Sequence, residues 1–149
     1  MQYQEGSTGR VFALRLEDGD RLPDSLEAFA REKGIAAAMV IYVGGAKGES
    51  RLVVGPDAAN TNAIVPLIHT LSGIQEVLGV GTIFPNEEGI PVLHMHVATG
   101  REGDATVGCS RAGVEVWLVG EVIILEIMGT KGCRRPEPPS GFNLLQFGE

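Results

Sequence analysis

Apolar and polar residues alternate through most of this chain, and the period is that of a strand. In RVFALRLEDGD (residues 10–20), Phe12, Leu14 and Leu16 form one strongly apolar face. Val11, Ala13 and Arg15 form a mixed face that is wet at its Arg15 end. This predicts a strand ended by the turn Asp18-Gly19-Asp20. The period changes once. DSLEAFAREKG (24–34) places Leu26, Phe29 and Ala30 at i, i+3 and i+4, the spacing of a helix with one buried stripe. Asp24 or Ser25 can cap it, Glu27 completes a capping box to Asp24, and Gly34 suits the C′ position.

Beyond the helix the strand period returns. IAAAMVIYVGGAKGESRLVVG (35–55) predicts two strands around a turn running from Gly44-Gly45 to Gly48. The segment 56–68 has no clear period and is interrupted by Pro66. TLSGIQEVLGVGTIF (70–84) predicts one or two strands split by glycine. IPVLHMHVATG and DATVGCS pair around Arg101-Glu102-Gly103-Asp104. VEVWLVGEVIILEIMG (114–129) suits a central strand bent at Gly120. The prolines of CRRPEPPSG argue against any regular element there, and FNLLQF (142–147) is apolar enough to dock back as a closing strand. One helix after the first strand, followed by hairpins with no βαβ alternation, predicts an α+β fold built mainly on an antiparallel sheet.

At 149 residues the chain is expected to be a single domain, with a loose N-terminus at 1–8 and a docking tail at 133–149. Hydrophobic residues make up 44%, enough for a packed core. The formal net charge of −7 argues against direct binding to nucleic acid. Two cysteines make no disulfide framework, no signal peptide is visible, and the longest apolar run carries Glu121 and Glu126. A cytoplasmic, reducing location is the expectation, with no membrane partner.

Candidate chemistry gathers in HMHV (94–97). On a strand, His94 and His96 point to one face about 6–7 Å apart, and Met95 points to the other. If the following turn centres on Glu102-Gly103, then Arg101 faces Asp104, His96 faces Cys109, and His94 lies diagonal to Cys109. Two imidazoles and a thiolate suit zinc or another divalent transition metal and leave a fourth position open. A register slip of one residue would turn Cys109 to the opposite face. His69 is a surface or neutral buried histidine and a backup ligand. Cys133 is a plain thiol. Glu121, in an otherwise apolar strand, is either a structural acceptor or a group orienting a histidine. It is the candidate catalytic carboxylate, with Glu76 on a neighbouring strand as a second base.

The order of segments resembles the PPC domain, the Plants and Prokaryotes Conserved family, in its stand-alone prokaryotic form. The resemblance runs from about Arg10 to Phe147. It is carried by GRVFALRLEDGDRLPDSLEAFAREKGI, AAAMVIYVGGAKGESRL, EVLGVGTIF and above all PVLHMHVATGREGDATVGC…GEVIILEI. The last is similar to the family's Leu-His-x-His strand, its Gly-Gly-His turn and its closing Glu-Val strand. The third family histidine is absent here. Counted back from Glu121 without a gap its place falls on Cys109, and with a gap on Ser110, a poor zinc ligand.

The resemblance implies an antiparallel sheet with one main helix near 24–33, short extra helices, and a homotrimer with its histidine cluster at a subunit cleft. The functions it leaves open are a metal-binding trimer, a metal-dependent hydrolase or lyase, a DNA-associated regulator acting through protein contacts, and a module sensing a small ligand at that cleft. The AT-hook core Arg-Gly-Arg-Pro is missing; only Arg134-Arg135-Pro136 comes near it.

Overall fold

A computed structural model describes residues 1–59 and 64–148. In chain order the elements are β1 (Ser7–Glu17), β2 (Arg21–Leu22), α1 (Asp24–Lys33), β3 (Ala38–Ala46), β4 (Arg51–Pro56) and β5 (Pro66–Thr70). There follow β6 (Gln75–Pro85), β7 (Pro91–Arg101), β8 (Asp104–Cys109), a 3-10 turn at Ser110–Ala112, β9 (Val114–Met128), β10 (Gly132–Glu137) and β11 (Phe142–Phe147). The main sheet has the order β1-β9-β3-β6-β7-β8-β4-β5, with β2 also paired to β9, and β10-β11 form a separate ribbon. Every strand pair is antiparallel. The α+β expectation holds, with one helix over the predicted span.

The helix packs on one face of the sheet. Leu26 and Ala30 are fully buried in one core cluster with Leu16, Val40, Tyr42, Leu93, Met95 and Ile124, and the Phe29 and Phe12 rings meet edge-on with centroids 5.4 Å apart. Gly34 ends the helix in the left-handed conformation at φ 63°, and the N–H of Ile35 returns to the carbonyl of Ala30. The capping box does not form. Pro23 is the N-cap residue, and no side chain caps the helix. Glu27 is engaged elsewhere, as shown below.

Several local expectations are corrected. Gly44 and Gly45 lie inside β3 rather than in a turn, because β9 crosses them too closely for a side chain. A Cβ on Gly44 would come within 2.6 Å of the Val119 carbonyl, and one on Gly120 within 2.6 Å of the Tyr42 ring. The irregularity in β9 falls at Leu118, with φ 58°, where the register against β3 shifts between Gly44 and Gly45. Gly79 and Gly81 do not split β6; they let the Val97 and Met95 side chains of β7 pack over it.

Pro66 begins β5, in the unassigned segment 56–68, of which residues 60–63 lie outside the described residues. The first strand begins at Ser7, and Gln2 and Gln4 tie the N-terminus to Phe147, Gly148 and Lys131. The tail also departs from expectation. Gly132–Glu137 is a regular strand, because in a two-stranded ribbon Pro136 can sit where its missing N–H faces no neighbour.

Among the described residues, no helix covers the second face of the sheet. One row of paired residues crosses it as Ala13, Ile123, Ile41, Val80, His96 and Cys109. The histidines therefore stand at one end of a broad apolar surface on which Val43, Leu78 and Val80 are each more than half exposed.

Candidate metal centre

The β7–β8 hairpin has the predicted register, with Arg101 opposite Asp104 and His96 opposite Cys109. His94 and His96 project from the open face with ring centroids 5.1 Å apart and planes at 78°. Cys109 is almost fully buried, with 3% of its surface exposed. One ligand atom from each of the three can be chosen so that all lie within 4.8 Å of one another. A tetrahedral zinc has bonds of about 2.0–2.3 Å, so its donors sit roughly 3.5 Å apart. Small side-chain rotations close that gap, and the donor set fits a divalent transition metal. Burial lowers the pKa of His94, helped by Arg134, His96 and Arg111, which favours the neutral imidazole a metal requires.

The other sequence candidates lie elsewhere. Ser110 is buried and donates its hydroxyl to the Met95 carbonyl at 3.2 Å, a structural role, and of the two candidates Cys109 is the one that stands beside the histidines. His69 is exposed on β5, opposite Leu52. Cys133 is half-buried in β10 and is a free thiol. Glu121 is exposed and pairs with Arg15 and Val43. It is neither buried nor beside a histidine: β9 and β7 are separated by β3 and β6, three strand spacings or roughly 14 Å. Glu76 stands four residues along β6 from the position opposite His96, about 13 Å away. Neither carboxylate reaches the triad.

The roles of Glu27, Arg134 and Arg111 at the centre were missed by sequence reasoning. Strand β8 stops pairing with β7 at His96, so among the described residues no strand pairs with residues 91–95 of β7 on that side. Side chains complete their hydrogen bonds. Glu27 Oε1 accepts the Leu93 N–H at 2.8 Å, Ser110 binds the Met95 carbonyl, and Arg134 Nε donates to the Val92 carbonyl at 3.4 Å. Arg134 also gives Nη2 to the carbonyl and hydroxyl of Thr82, at 3.1 and 3.0 Å. Only 4% of Arg134 is exposed.

Glu27, Arg134 and Arg111 line a cavity of about 540 Å³ together with His94 and Cys109. Burial raises the Glu27 pKa, opposed by its bond from Leu93, and lowers that of Arg134. In sequence Glu27 passed for a capping residue and Arg134 for part of a proline-rich tail. Their roles arise only when the helix and the ribbon meet the unpaired half of β7.

The match to the Plants and Prokaryotes Conserved (PCC) domain extends over residues 3–128. The chain belongs to that family. It is similar to a plant- and prokaryote-conserved protein of Pyrococcus horikoshii, with a TM-score of 0.85 and 24% identity over 100% of this chain and 99% of that one. It is also similar to a metal-containing protein of Archaeoglobus fulgidus, with a TM-score of 0.82 and 26% identity over 98% and 99% of the two chains. A curated relative, the bifunctional protein GlmU of Synechococcus sp. (strain JA-3-3Ab), is 26% identical over 135 residues, which are 89% of this chain and 20% of that protein. The chain thus spans about a fifth of the length of that relative. Among the described residues, no helix is long and apolar enough to cross a membrane.

Proposed function

We propose that this PCC-domain protein holds a divalent transition metal, zinc by its donor set, on His94, His96 and Cys109, and does so as a homotrimer. The observation that carries the metal proposal is the convergence of two imidazoles and one thiol, within 4.8 Å, at a hairpin whose register fixes them on one face. The metal-containing Archaeoglobus fulgidus protein of the same fold supports it. Three protein ligands leave a position for an exchangeable group, and a metal bound there supplies Lewis acidity toward an oxygen atom.

The residues around that position have separable roles. Glu27 and Ser110 hold β7 in place through backbone bonds, which fixes the direction of His94. Glu27 is the carboxyl in the cavity that can exchange a proton with a bound molecule. Arg134 and Arg111 add positive charge beside a thiolate. The number three comes from the family resemblance; the uncovered apolar residues Val43, Leu78 and Val80 support association of some kind.

Elemental analysis of protein purified without a histidine tag tests the metal. About one equivalent per chain is expected in the wild type and little in Cys109→Ala. Equal metal in both would remove Cys109 from the ligand set, and none in either would end the proposal.

A further inference from the structure

The cavity beside the triad contains a buried guanidinium that no carboxylate contacts. Arg134 is nineteen-twentieths buried, yet none of the ion pairs among the described residues involves it or Arg111. Its Nε and Nη2 are committed to Val92 and Thr82, while Nη1 donates to nothing among the described residues. A buried guanidinium normally finds an anionic partner, because its desolvation is costly. Arg111 lies on the same cavity wall, with its guanidinium carbon 6.0 Å from the Phe142 ring. The remaining lining is mostly apolar and includes Val92, Leu93, Phe142 and Leu144. At about 540 Å³ the space is of the size that holds small organic ligands.

We propose that this cavity binds a small carboxylic acid with an apolar body. Arg134 and Arg111 receive its carboxylate beside the metal position, and Leu93, Phe142 and Leu144 seat its hydrocarbon part. A guanidinium matches a carboxylate or a phosphate equally well. One feature of the cavity favours the carboxylate: Glu27 stands in the wall and repels a dianion more than a monoanion. The proposal builds on the metal centre for its location, but the arginine anchor is independent of the metal.

Titration calorimetry on the full chain tests it, in chelator-treated and zinc-reloaded forms, with hexanoate, 1-hexanol and inorganic phosphate as probes. Saturable one-to-one binding of hexanoate is expected, with hexanol and phosphate at least about tenfold weaker, the factor expected for one charge-assisted contact. Arg111→Gln and Leu144→Trp should each weaken hexanoate severalfold while leaving Tm unchanged. Neither residue braces β7, so both variants are expected to fold.

No hexanoate binding in either form overturns the proposal. So does binding that ignores both substitutions, and so does phosphate binding as tight as hexanoate. Hexanoate binding to a protein that never takes up metal leaves the anion site standing and removes the metal centre; metal uptake without hexanoate binding does the reverse.

Discussion

Cys109 stands directly across from His96, at the last paired position of the β7–β8 hairpin. Beyond this pair β8 leaves the sheet, so the thiol lies where the strand ladder ends and the cavity begins. In the proposed metal site this position supplies one donor atom, whose identity can change. Cys109→His should retain about one metal per chain, because it restores a third imidazole to the two already present. Cys109→Ala should lose more affinity than the roughly 10–100-fold typical of mutations that disturb only a ligand's support. Competitive titration against a chromogenic chelator measures both, and failure of the histidine variant to bind would mean the site depends on sulfur itself.

Glu27 is expected to matter through its acceptor atom more than through its charge. Glu27→Ala leaves the Leu93 N–H without a partner in a partly buried place, a loss of about 1–3 kcal/mol. For a chain of this length that lowers Tm by about 2–4 °C per kcal/mol. Glu27→Gln keeps the acceptor and should melt within about 2 °C of wild type on the same scale. Scanning calorimetry on both variants decides the matter; equal losses would show that the carboxylate charge, not the hydrogen bond, supports β7.

A buried carboxylate, Glu126, contributes to acid sensitivity. Glu126 accepts Nε, Nη2 and the backbone N–H of Arg10, at 2.8, 2.6 and 3.0 Å. These bonds, the side-chain contact first, pull its pKa down to about 2 from the ordinary 4.5. A carboxyl whose folded pKa is depressed contributes stability at pH values above its unfolded pKa, and that contribution disappears as pH falls through the folded one. Tm should therefore drop between about pH 4.5 and 2, and the drop should be shallower in Glu126→Gln, which starts from a lower Tm at neutral pH. Circular dichroism melts across that window provide the check. Parallel curves for the two proteins would mean that other carboxylates dominate.

The uncovered face of the sheet predicts assembly. Leu78 is 57% exposed, pairs with Val43 and Ala98, and shares its face with Val80. Leu78→Glu places a charge in the middle of that surface without touching the core beneath. Sedimentation equilibrium should give a trimer mass for the wild type and a smaller species for the variant, with far-ultraviolet circular dichroism unchanged. A monomeric wild type would require some other cover for the face.

The backbone crossing at Gly120 should tolerate no side chain. Gly120→Val drives a branched side chain into the Tyr42 ring and should cost at least the roughly 1–3 kcal/mol of an overpacked core. Chemical denaturation measures it; a wild-type midpoint would show that β3 and β9 can separate there.

The local pattern of residues was enough to place the helix at 24–33, the strand alternation, and the hairpin that sets His96 against Cys109. Each is encoded within a few residues by a period, a turn or a cap, and register follows from the turn. The same signals misassigned Gly44-Gly45, whose small size answers a strand some seventy-five residues away, and Glu27, whose carboxylate serves β7 instead of its own helix. Glu121 looked buried because its neighbours in sequence are apolar, yet alternation along β9 turns it to the open face. Arg134 carried no sign of its place at all. Its partners, Val92 and Thr82, are brought to it only when the tail ribbon folds over the end of the sheet, and such long-range contacts leave no period in the chain that forms them.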